Sequence, residues 1–330
     1  MALRPDFATR LNSFAADRGV GGRPTPLELI RRAGTVEGLT SVDLNFPDHF
    51  AGSTLAEVRA CVADAGLGIN GLAMRYYGDA DFKRGALGHP DAAIRQKAVE
   101  LTLRGVDATA EAGADLLTVW LGEDGFDYPF QADYADLWKT VADGLRRVAL
   151  HNPDVRIAIE YKPDEPRARA LLGDIGTTLL MIREIGCANV GVCLDFAHVL
   201  YAGEQPAFAA AMAAHHARLY GLHLNDAYGA RDDGMMVGSV HGLQTLELLF
   251  TMDRVGYDGA IYFDTFPDAS GLDPVEECRT NIMVTKRLLE MVETLRGRND
   301  LAEALARQDT IAGQRIAQGV LLGIAGGAGA

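Results

Sequence analysis

The feature that most constrains this fold is an alternation of short apolar strands and amphipathic helices, repeated eight times. Runs of β-branched residues predict the strands, and apolar residues at three- and four-residue spacing predict the helices. The predicted strands cover residues 8–14, 41–46, 68–74, 115–121, 156–162, 190–196, 219–226 and 259–266. The predicted helices cover residues 26–33, 53–65, 90–112, 132–149, 176–185, 206–217, 243–255 and 274–295. This count is typical of an α/β protein with a parallel (β/α)8 TIM barrel.

An open, doubly wound sheet is the alternative architecture for such an alternation. No Gly-x-Gly-x-x-Gly phosphate-binding turn follows the first predicted strand, and an open sheet gives no reason for the repeat to stop at eight. The 330 residues are also a length that a barrel commonly occupies as one domain. We therefore expect residues 1–296 to form a barrel catalytic domain.

Residues 297–330 extend beyond the eight predicted units. They are helical in composition as far as residue 322, and their end is almost entirely Gly and Ala, which we expect to fray. Because the barrel does not need this extension, we expect it to serve as an arm that packs on a neighbouring subunit. The protein would then be a homo-oligomer, either a dimer or a tetramer.

The balance of charge limits the partners of this chain. Lys and Arg number 31 against 45 Asp and Glu, a formal charge of −14, so the surface repels nucleic acid and anionic membranes. The first residues lack the apolar core of a signal peptide, and no apolar run approaches the ~18 residues of a membrane span. We expect a cytoplasmic protein. Its four cysteines include no Cys-x-x-Cys pair, which argues against a structural zinc site and a disulfide framework.

A carboxylate and an ammonium, Glu160 and Lys162, lie two residues apart at the end of the fifth predicted strand. Because side chains alternate along a strand, both point to the same face, and Pro163 and Pro166 then end the strand. In parallel α/β proteins this is the edge at which ligands bind. An isolated Glu-x-Lys pair is more often a solvated ion pair. Three later strands, however, end in the same way.

Polar side chains also end the inner faces of the sixth, seventh and eighth predicted strands. In the sixth strand the alternate Val and Leu side chains face the helices, which leaves Asp195 inside. The same alternation places His223 and Asn225 inside the seventh strand and Asp264 inside the eighth. We therefore expect Glu160, Asp195, His223 and Asp264 to converge on one opening.

Three carboxylates in one confined site raise one another's pKa and require a positive charge. A divalent cation meets this requirement directly. Three oxygen donors and an imidazole suit Mn²⁺ best, with Co²⁺ or Mg²⁺ as alternatives. A buried salt-bridge network with Lys162 is the structural alternative, but this single ammonium supplies too little charge. The strand ends therefore predict a metal site.

Further polar residues follow the same strands on loops at the same mouth. His198 follows the sixth strand, and the pair Asp232 and Asp233 follows the seventh. These residues could hold a second, weaker metal ion or activate a water, although Asp-Asp-Gly is equally typical of a solvated turn. His49 follows the second strand and could contact a ligand.

Residues 160–167, Glu-Tyr-Lys-Pro-Asp-Glu-Pro-Arg, resemble the Glu-Pro-Lys-Pro-Asn-Glu-Pro-Arg segment of the xylose isomerase family of metal-dependent sugar isomerases. Residues 195–198, Asp-Phe-Ala-His, are similar to that family's Glu-Val-Gly-His. Residues 223–225, His-Leu-Asn, resemble its Asp-Leu-Asn, with His as in bacterial L-rhamnose isomerases and ketose 3-epimerases. Residues 256–264 are similar to its eighth-strand segment. The resemblance covers roughly residues 117–267.

The resemblance implies that the four converging residues bind a structural metal, which holds two hydroxyl oxygens of an open-chain sugar. It also implies that His198 and Asp232 hold a catalytic metal. The family's Asp-x-Asp-Leu-Val-Phe-Gly loop is Asp-Asp-Gly-Met-Met-Val-Gly here, so Gly234 replaces the second Asp. Either Asp233 takes that role, or the second site is weak and bound water does its work.

Three residues are candidates for substrate contact. Trp120 ends the fourth strand and resembles the tryptophan that walls the sugar in the family, although an indole packed at the rim would be equally natural. Asn225 and His49 are the other two. The family's ring-opening histidine has no counterpart in the second strand, Val-Asp-Leu-Asn-Phe, so the resemblance does not specify the sugar.

The leading hypothesis is aldose to ketose isomerisation of an unphosphorylated monosaccharide, with the metal polarising the carbonyl and its neighbouring hydroxyl. Lys162 would hydrogen-bond the carbonyl oxygen, and water near His198 and Asp232 would shuttle the hydroxyl proton. Hydrogen would move between carbons as a hydride or through an enediol. The expected catalytic residues are Lys162, Glu160, Asp264, His198 and Asp232.

Other functions fit parts of the same pattern. A ketose 3-epimerase uses this metal frame but normally has two opposed Glu bases, whereas the eighth strand here carries Asp264. A keto-inositol dehydratase is a further alternative on the same barrel. A non-catalytic sugar-binding barrel would have little use for four metal ligands and Lys162. An endonuclease on this barrel would need extra histidines and a basic groove, which this acidic chain does not offer.

Overall fold

The computed structural model describes residues 6–15 and 24–324, and these contain the predicted barrel of eight parallel strands. The barrel strands are β1 (Phe7–Thr9), β2 (Ser41–Phe46), β3 (Gly68–Met74), β4 (Leu116–Trp120), β5 (Arg156–Glu160), β6 (Val190–Asp195), β7 (Leu219–Leu224) and β8 (Ile261–Phe263). From β2 to β8 each strand pairs with its neighbours in the chain, and β8 pairs with β1. The arrangement confirms the (β/α)8 fold.

The barrel is nearly closed at the junction of β1 and β2. An isolated parallel bridge joins Arg10 to Asp43, and the backbone nitrogen of Thr40 donates to the carbonyl oxygen of Phe7 at 3.0 Å. This contact matters for the site, because it places Arg10, which directly follows β1, at the same mouth as the other strand ends.

Helices surround the barrel, and local sequence explains where several of them begin. Thr25 and Glu28 form a capping box at the first helix, as do Thr54 and Glu57 at the second. The described helices are α1 (Pro26–Ala33), α2 (Leu55–Asp64), α3 (Ala92–Glu111), α4 (Tyr134–His151), α5 (Ile175–Ile185), α6 (Phe196–Tyr201), α7 (Pro206–His216), α8 (Gly242–Val255), α9 (Pro267–Ser270), α10 (Pro274–Arg296), α11 (Asn299–Arg307) and α12 (Thr310–Leu321). Among the described residues, none of these helices combines the length and apolar content needed to cross a membrane.

Small and apolar side chains fill the barrel below the strand ends. Leu116, Ala158 and Cys193 form a buried cluster inside it. Gly221 faces this cluster, and a Cβ atom at that position would lie 2.7 Å from the Cys193 sulfur. Ala158, Cys193 and Gly221 therefore face inward as the alternation predicts, although Tyr220 of β7 also packs against this cluster. The polar residues lie above a packed interior.

The first strand differs from its prediction. Residues 8–14 were expected to be extended, but β1 ends at Thr9 and a 3₁₀ helix, Leu11–Ala15, follows it. Leu11 and Phe14 are both buried, and their three-residue spacing places them on one side of a 3₁₀ turn. Because the strand is shorter than predicted, the residue that follows it belongs to the mouth of the barrel.

The C-terminal extension is helical and folds back onto the barrel helices. Leu301 and Ala304 of α11 are buried, whereas α12 has no buried residue among those described. The boundary at residue 296 and the role of residues 297–330 as an oligomerisation arm stay predictions. The predicted fraying of the Gly/Ala end concerns residues 325–330, which lie outside the described part.

Candidate functional site

Four strand ends bring their polar side chains together, as the alternation predicted. Glu160 and Asp195 are the last residues of β5 and β6, His223 is the penultimate residue of β7, and Asp264 directly follows β8. Each offers one ligand atom, and these atoms all lie within 4.8 Å of one another. Glu160, Asp195 and His223 are buried, and Asp264 is partly buried.

The contacts within this cluster leave one oxygen without a donor. His223 Nδ1 lies 3.0 Å from Glu160 Oε1 and 3.9 Å from Asp195 Oδ2. Asp264 Oδ1 is buried and has no hydrogen-bond partner in the described part of the chain, although Arg10 Nε lies 3.6 Å away. A buried carboxylate oxygen without a donor is costly. The cluster therefore has an acceptor that a cation would satisfy.

The charges of the cluster also fit a cation. Burial raises the pKa of Asp195 and of Asp264. Burial opposes the ionisation of Glu160 too, but the charge and hydrogen bond of His223 lower its pKa. Full ionisation of three neighbouring acids therefore requires more positive charge than His223 supplies. Three carboxylates and an imidazole are donors that Mn²⁺, Co²⁺ and Mg²⁺ accept, so these residues fit a divalent ion.

Asn225 lies behind the cluster. Its side-chain nitrogen is 3.2 Å from both carboxylate oxygens of Asp195 and 3.0 Å from the backbone oxygen of Asp264. Its side-chain oxygen accepts a hydrogen bond from the backbone nitrogen of Ala197 at 2.9 Å. The side chain that was expected to touch a substrate is therefore buried, and it contacts candidate ligands instead.

A second polar group adjoins the first. Lys162 Nζ lies 3.1 Å from Asp232 Oδ2 and 2.8 Å from Glu165 Oε2. His198 Nε2 lies 3.1 Å from the same Asp232 oxygen, and its Nδ1 lies 3.0 Å from the backbone oxygen of Tyr161. Only 8% of the Lys162 side chain and 7% of that of Asp232 are exposed, so these charges are poorly screened by water.

The protonation of this second group follows from its contacts. Burial opposes the protonation of His198, but the nearby carboxylates, led by Asp195, outweigh it and raise the pKa to about 9. Burial likewise opposes the ionisation of Asp232, but His198 and Lys162 lower its pKa. Burial also disfavours the charge of Lys162, and Asp232 and Glu165 raise its pKa above the usual value. At neutral pH a carboxylate therefore lies between two cations.

A cavity of about 470 Å³ opens over both groups. Its lining includes the aromatic residues Tyr77, Trp120 and Phe266 and the basic residues Arg10, Arg75 and Lys162. A slightly larger groove of about 540 Å³ lies among α8 and the C-terminal helices, but its lining residues include no histidine or cysteine and no cluster of candidate metal ligands. The cavity at the strand ends is therefore the candidate active site.

Aromatic and basic side chains form one wall of this cavity. The rings of Tyr77 and Trp120 meet edge to face with their centroids 6.1 Å apart. Lys162 Nζ lies 5.5 Å from the Trp120 ring, and the Arg75 guanidinium lies 5.6 Å from the Tyr77 ring. Trp120 thus lies where the sequence placed it, beside the candidate catalytic lysine.

Contacts between loops keep this wall in place. Two short antiparallel strands, Gly125–Phe126 and Arg169–Ala170, join the loop after β4 to the loop after β5. Arg167 donates to Asp127 Oδ2 at 2.6 Å and to the backbone oxygen of Glu123 at 3.1 Å. The arginine that ends the motif of residues 160–167 therefore supports the cavity wall.

His49 lies away from the cavity lining. Its side chain is buried, with Nδ1 2.9 Å from the backbone nitrogen of Asn45 and Nε2 2.7 Å from Asn12 Oδ1. The structure therefore does not bring this predicted substrate contact to the cavity. It places the histidine in the β2 loop, where its ring supports the backbone.

Several cavity residues were not among the predicted site residues, and Arg10 and Tyr77 are two of them. Asp264 was selected because it is a polar residue at the end of a predicted strand. Arg10 directly follows β1, so the same criterion would have selected it if the first strand had been predicted to end at Thr9. The loop after β3 carries two adjacent tyrosines. Tyr76 is buried, with its hydroxyl 2.7 Å from that of Thr102, whereas Tyr77 lines the cavity. No local pattern in the sequence distinguishes these two adjacent tyrosines.

Fold and site together define a class: a (β/α)8 barrel with a candidate divalent-metal centre and a sugar-sized cavity at the carboxyl ends of its strands. The model of the xylose isomerase-like TIM barrel family matches residues 27–288. The chain therefore belongs to the xylose isomerase-like TIM barrel family.

Individual relatives agree with this assignment. The chain is 29% identical to xylose isomerase of Thermus thermophilus over 207 residues. This match covers 61% of this chain and 54% of that protein. Xylose isomerase of Thermus caldophilus is 28% identical over 207 residues, with the same two shares. This chain thus matches about half the length of these curated relatives.

Solved structures share the fold at low sequence identity. An L-ribulose 3-epimerase superposes with a TM-score of 0.71 at 17% identity. The superposition covers 90% of this chain and 99% of the epimerase chain. A D-allulose 3-epimerase from Methylomonas sp., in complex with D-allulose, gives a TM-score of 0.67 at 15% identity, with shares of 87% and 99%. At such identities the likeness shows the fold alone.

Proposed function

We propose that this protein is a divalent-metal-dependent aldose–ketose isomerase that acts on an unphosphorylated monosaccharide. The observation that carries the proposal is the cluster of Glu160, Asp195, His223 and Asp264, with ligand atoms within 4.8 Å of one another, beside Lys162. These four residues would hold the ion, with Mn²⁺ favoured and Co²⁺ or Mg²⁺ as alternatives. When bound, the ion would supply Lewis-acid polarisation of a carbonyl and its neighbouring hydroxyl.

Lys162 and Asp232 are the residues that act on the oxygens of the sugar. The Lys162 ammonium lines the cavity and donates a hydrogen bond to the carbonyl oxygen, where negative charge develops. Asp232 Oδ2 is held by Lys162 and His198, whereas its Oδ1 is buried without a hydrogen-bond partner among the described residues. We assign Asp232 and His198 as the residues that hold the water through which the hydroxyl proton moves.

The cavity wall holds the rest of the sugar. Trp120 and Tyr77 offer apolar ring surface to its C–H faces, and Arg75 and Glu123 offer a donor and an acceptor for its hydroxyls. Of the three carboxylates in the cluster, Glu160 and Asp264 line the cavity. In an enediol route, one of them would move the proton between neighbouring carbons.

The decisive experiment is product analysis. Manganese-loaded protein is incubated with a panel of free aldoses, ketoses and a keto-inositol, and the products are identified by chromatography and mass spectrometry. An isomerase yields the matching ketose or aldose, a ketose 3-epimerase yields the C3 epimer, and a keto-inositol dehydratase yields a product lighter by one water. Deuterium from the solvent enters the product in an enediol route and stays out in a hydride transfer.

Substitution of Lys162 separates an enzyme from a sugar-binding barrel. Lys162→Met should lower turnover by ~10²-fold or more, the usual contribution of a positioned donor, and should leave the tight metal equivalent in place. The matched control is Lys139→Met, because Lys139 is exposed on α4. If the wild type binds a sugar but converts none of the panel, the protein is a binding barrel.

The ketose 3-epimerase is the second candidate, because several solved structures with this fold are ketose 3-epimerases. The contacts of this chain favour the isomerase. Epimerisation needs two opposed bases, whereas Lys162 is the residue that projects into the cavity beside Asp232. A donor at the carbonyl oxygen suits isomerisation.

We further propose that the protein assembles with copies of itself through α12. Apolar side chains of this region stay exposed in the single chain, with 73% of Ile311, 66% of Leu322 and 62% of Ile324 accessible. Exposed apolar groups of this kind are typical of interaction surfaces. Light scattering after chromatography should give a dimer or tetramer for the wild type and a smaller species for Ile311→Glu with Leu322→Glu. A truncation at Gly297 that kept the wild-type size would refute the role of the arm.

A further inference from the structure

The family resemblance implies two metal ions, a structural one and a catalytic one, and we call this arrangement the two-metal pattern. The loop after β7 departs from it at Gly234, where the pattern has a second aspartate. Gly234 has a positive φ of 55°, and a Cβ atom there would lie 2.3 Å from ring carbons of Phe266. The backbone nitrogen of Phe266 also donates to the carbonyl oxygen of Gly234 at 2.8 Å. The position is therefore closed to any side chain that could bind a metal.

Asp233 does not replace the missing ligand. Its Oδ2 accepts a hydrogen bond from the backbone nitrogen of Tyr228 at 2.9 Å, and its Oδ1 lies 2.7 Å from Arg231 Nε. Both carboxylate oxygens thus serve the loop itself.

The remaining donors of a second site are engaged as well. His198 Nδ1 contacts the carbonyl oxygen of Tyr161, so Nδ1 carries a hydrogen, and Nε2 contacts Asp232 Oδ2. The Lys162 ammonium lies 3.1 Å from that same oxygen. Of the atoms of His198 and Asp232 that could bind a metal, only Asp232 Oδ1 has no hydrogen-bond partner among the described residues. Mn²⁺ and Mg²⁺ take about six oxygen or nitrogen ligands, so a second ion would lack most of its ligands.

We infer that this protein binds one divalent ion per chain and that the Lys162 ammonium takes the place of a second ion beside Asp232. The inference rests on the proposed metal centre. The ammonium brings one positive charge on a flexible stem to the position where the two-metal pattern has a cation. Charge compensation of Asp232 is then permanent and independent of metal concentration.

The test is the number of ions bound. Protein stripped with a chelator is titrated with Mn²⁺, free Mn²⁺ is followed by electron paramagnetic resonance, and bound metal is measured by elemental analysis. The wild type should saturate at one Mn²⁺ per chain, and Asp264→Asn should lose it. Two ions per wild-type chain would overturn the inference, whereas none would instead overturn the metal centre and with it the proposed function.

Variants of Lys162 test the role of the ammonium. Lys162→Met frees Asp232 and His198, so it should gain a second, weaker Mn²⁺ equivalent, whereas Lys162→Arg keeps the positive charge and should stay at one. The second equivalent should disappear when Asp232→Asn is added to Lys162→Met. A Lys162→Met protein that folds normally by circular dichroism and still binds one ion would refute the assigned role.

Discussion

The side-chain nitrogen of Asn225 lies 3.2 Å from each carboxylate oxygen of Asp195, and it also reaches the backbone oxygen of Asp264 at 3.0 Å. One buried amide therefore connects the ends of β6 and β8 from the strand between them. These contacts restrict the orientation of the Asp195 carboxylate. Asn225 is therefore placed to orient a candidate metal ligand.

Replacement of Asn225 by Asp should weaken metal binding. The change removes the N–H donors and adds a fourth carboxylate behind the cluster, and residues that orient ligands typically contribute ~10- to 100-fold in affinity. The measurement is the Mn²⁺ dissociation constant by titration. Asn299→Asp, the same exchange at an exposed position of α11, is the control. Equal affinity in both variants would show that Asp195 does not depend on Asn225.

Arg75 should contribute to substrate binding more than to turnover. Its guanidinium lines the cavity, so one of its charged N–H groups can donate a hydrogen bond to a sugar hydroxyl bound there. A hydrogen bond from a charged donor contributes ~1.5–3 kcal/mol, so Arg75→Met should raise KM by about 10- to 100-fold. Because that contact lasts from ground state to transition state, kcat should change little.

Steady-state kinetics of Arg75→Met, with Arg84→Met as the control, shows whether Arg75 affects KM or kcat. Arg84 is exposed and lies outside the cavity lining, so its exchange removes the same charge without the contact. A fall of kcat with unchanged KM in Arg75→Met would instead place Arg75 in the chemical step.

Local pattern is sufficient to predict most of the barrel. Strand alternation assigns the inner face of β5, β6 and β7 from a few residues each, and the end of a strand is marked by the residue at which apolar character stops. Glu160, Asp195 and His223 were found in this way. Both signals are local, so they need no knowledge of how distant segments meet.

Residues beyond the strand ends were harder to predict, because their direction depends on contacts far away in the chain. Tyr76 and Tyr77 are chemically alike, and the contact of Tyr76 with Thr102 on α3 decides which one faces the cavity. The direction of Asn225 depends on Asp195, and Gly234 is required by Phe266, 32 positions later. Such pairings follow from the closed barrel, which sequence spacing does not encode.

Gly234 should be needed for the position of Asp232 two residues earlier. Gly234→Ala adds a Cβ atom 2.3 Å from ring carbons of Phe266 at a positive φ, so the loop must shift. Turnover should fall by about tenfold or more, since small displacements of catalytic groups are costly. Gly229→Ala is the matched control, because Gly229 has a φ of 79° on the same loop but its nearest neighbour is 3.7 Å away.

Enzyme kinetics and unfolding measurements on the two glycine variants distinguish the effect of backbone strain from the effect of a displaced loop. Both should lose about 1–2 kcal/mol of stability because of the positive φ. Only Gly234→Ala should lose turnover at saturating metal and substrate. Equal losses of turnover would show that the contact with Phe266 has no special role.

Asp124 connects the cavity wall to the loop after β3. Its buried carboxylate accepts hydrogen bonds from the backbone nitrogens of Ala86, Leu87 and Gly88, and its own backbone oxygen accepts from Leu171. Burial is the largest influence on this group, and it raises the pKa from 3.8 to about 6 despite the three donors. The folded protein therefore holds this proton more tightly than the unfolded chain does.

Because the folded protein binds the Asp124 proton more tightly than the unfolded chain does, this group stabilises the fold at low pH. The stability contributed by protonated Asp124 is fully present below about pH 4 and is lost as the pH rises through about 6, a change of about 3 kcal/mol. Asp124→Asn does not titrate, so the free energy of unfolding of the wild type relative to this variant should fall by about 2 to 2.5 kcal/mol between pH 4 and pH 7. Urea unfolding of both proteins across this range, with chelator present, measures the difference. A difference that stays constant with pH would mean that the three backbone donors outweigh burial and keep the carboxylate ionised throughout.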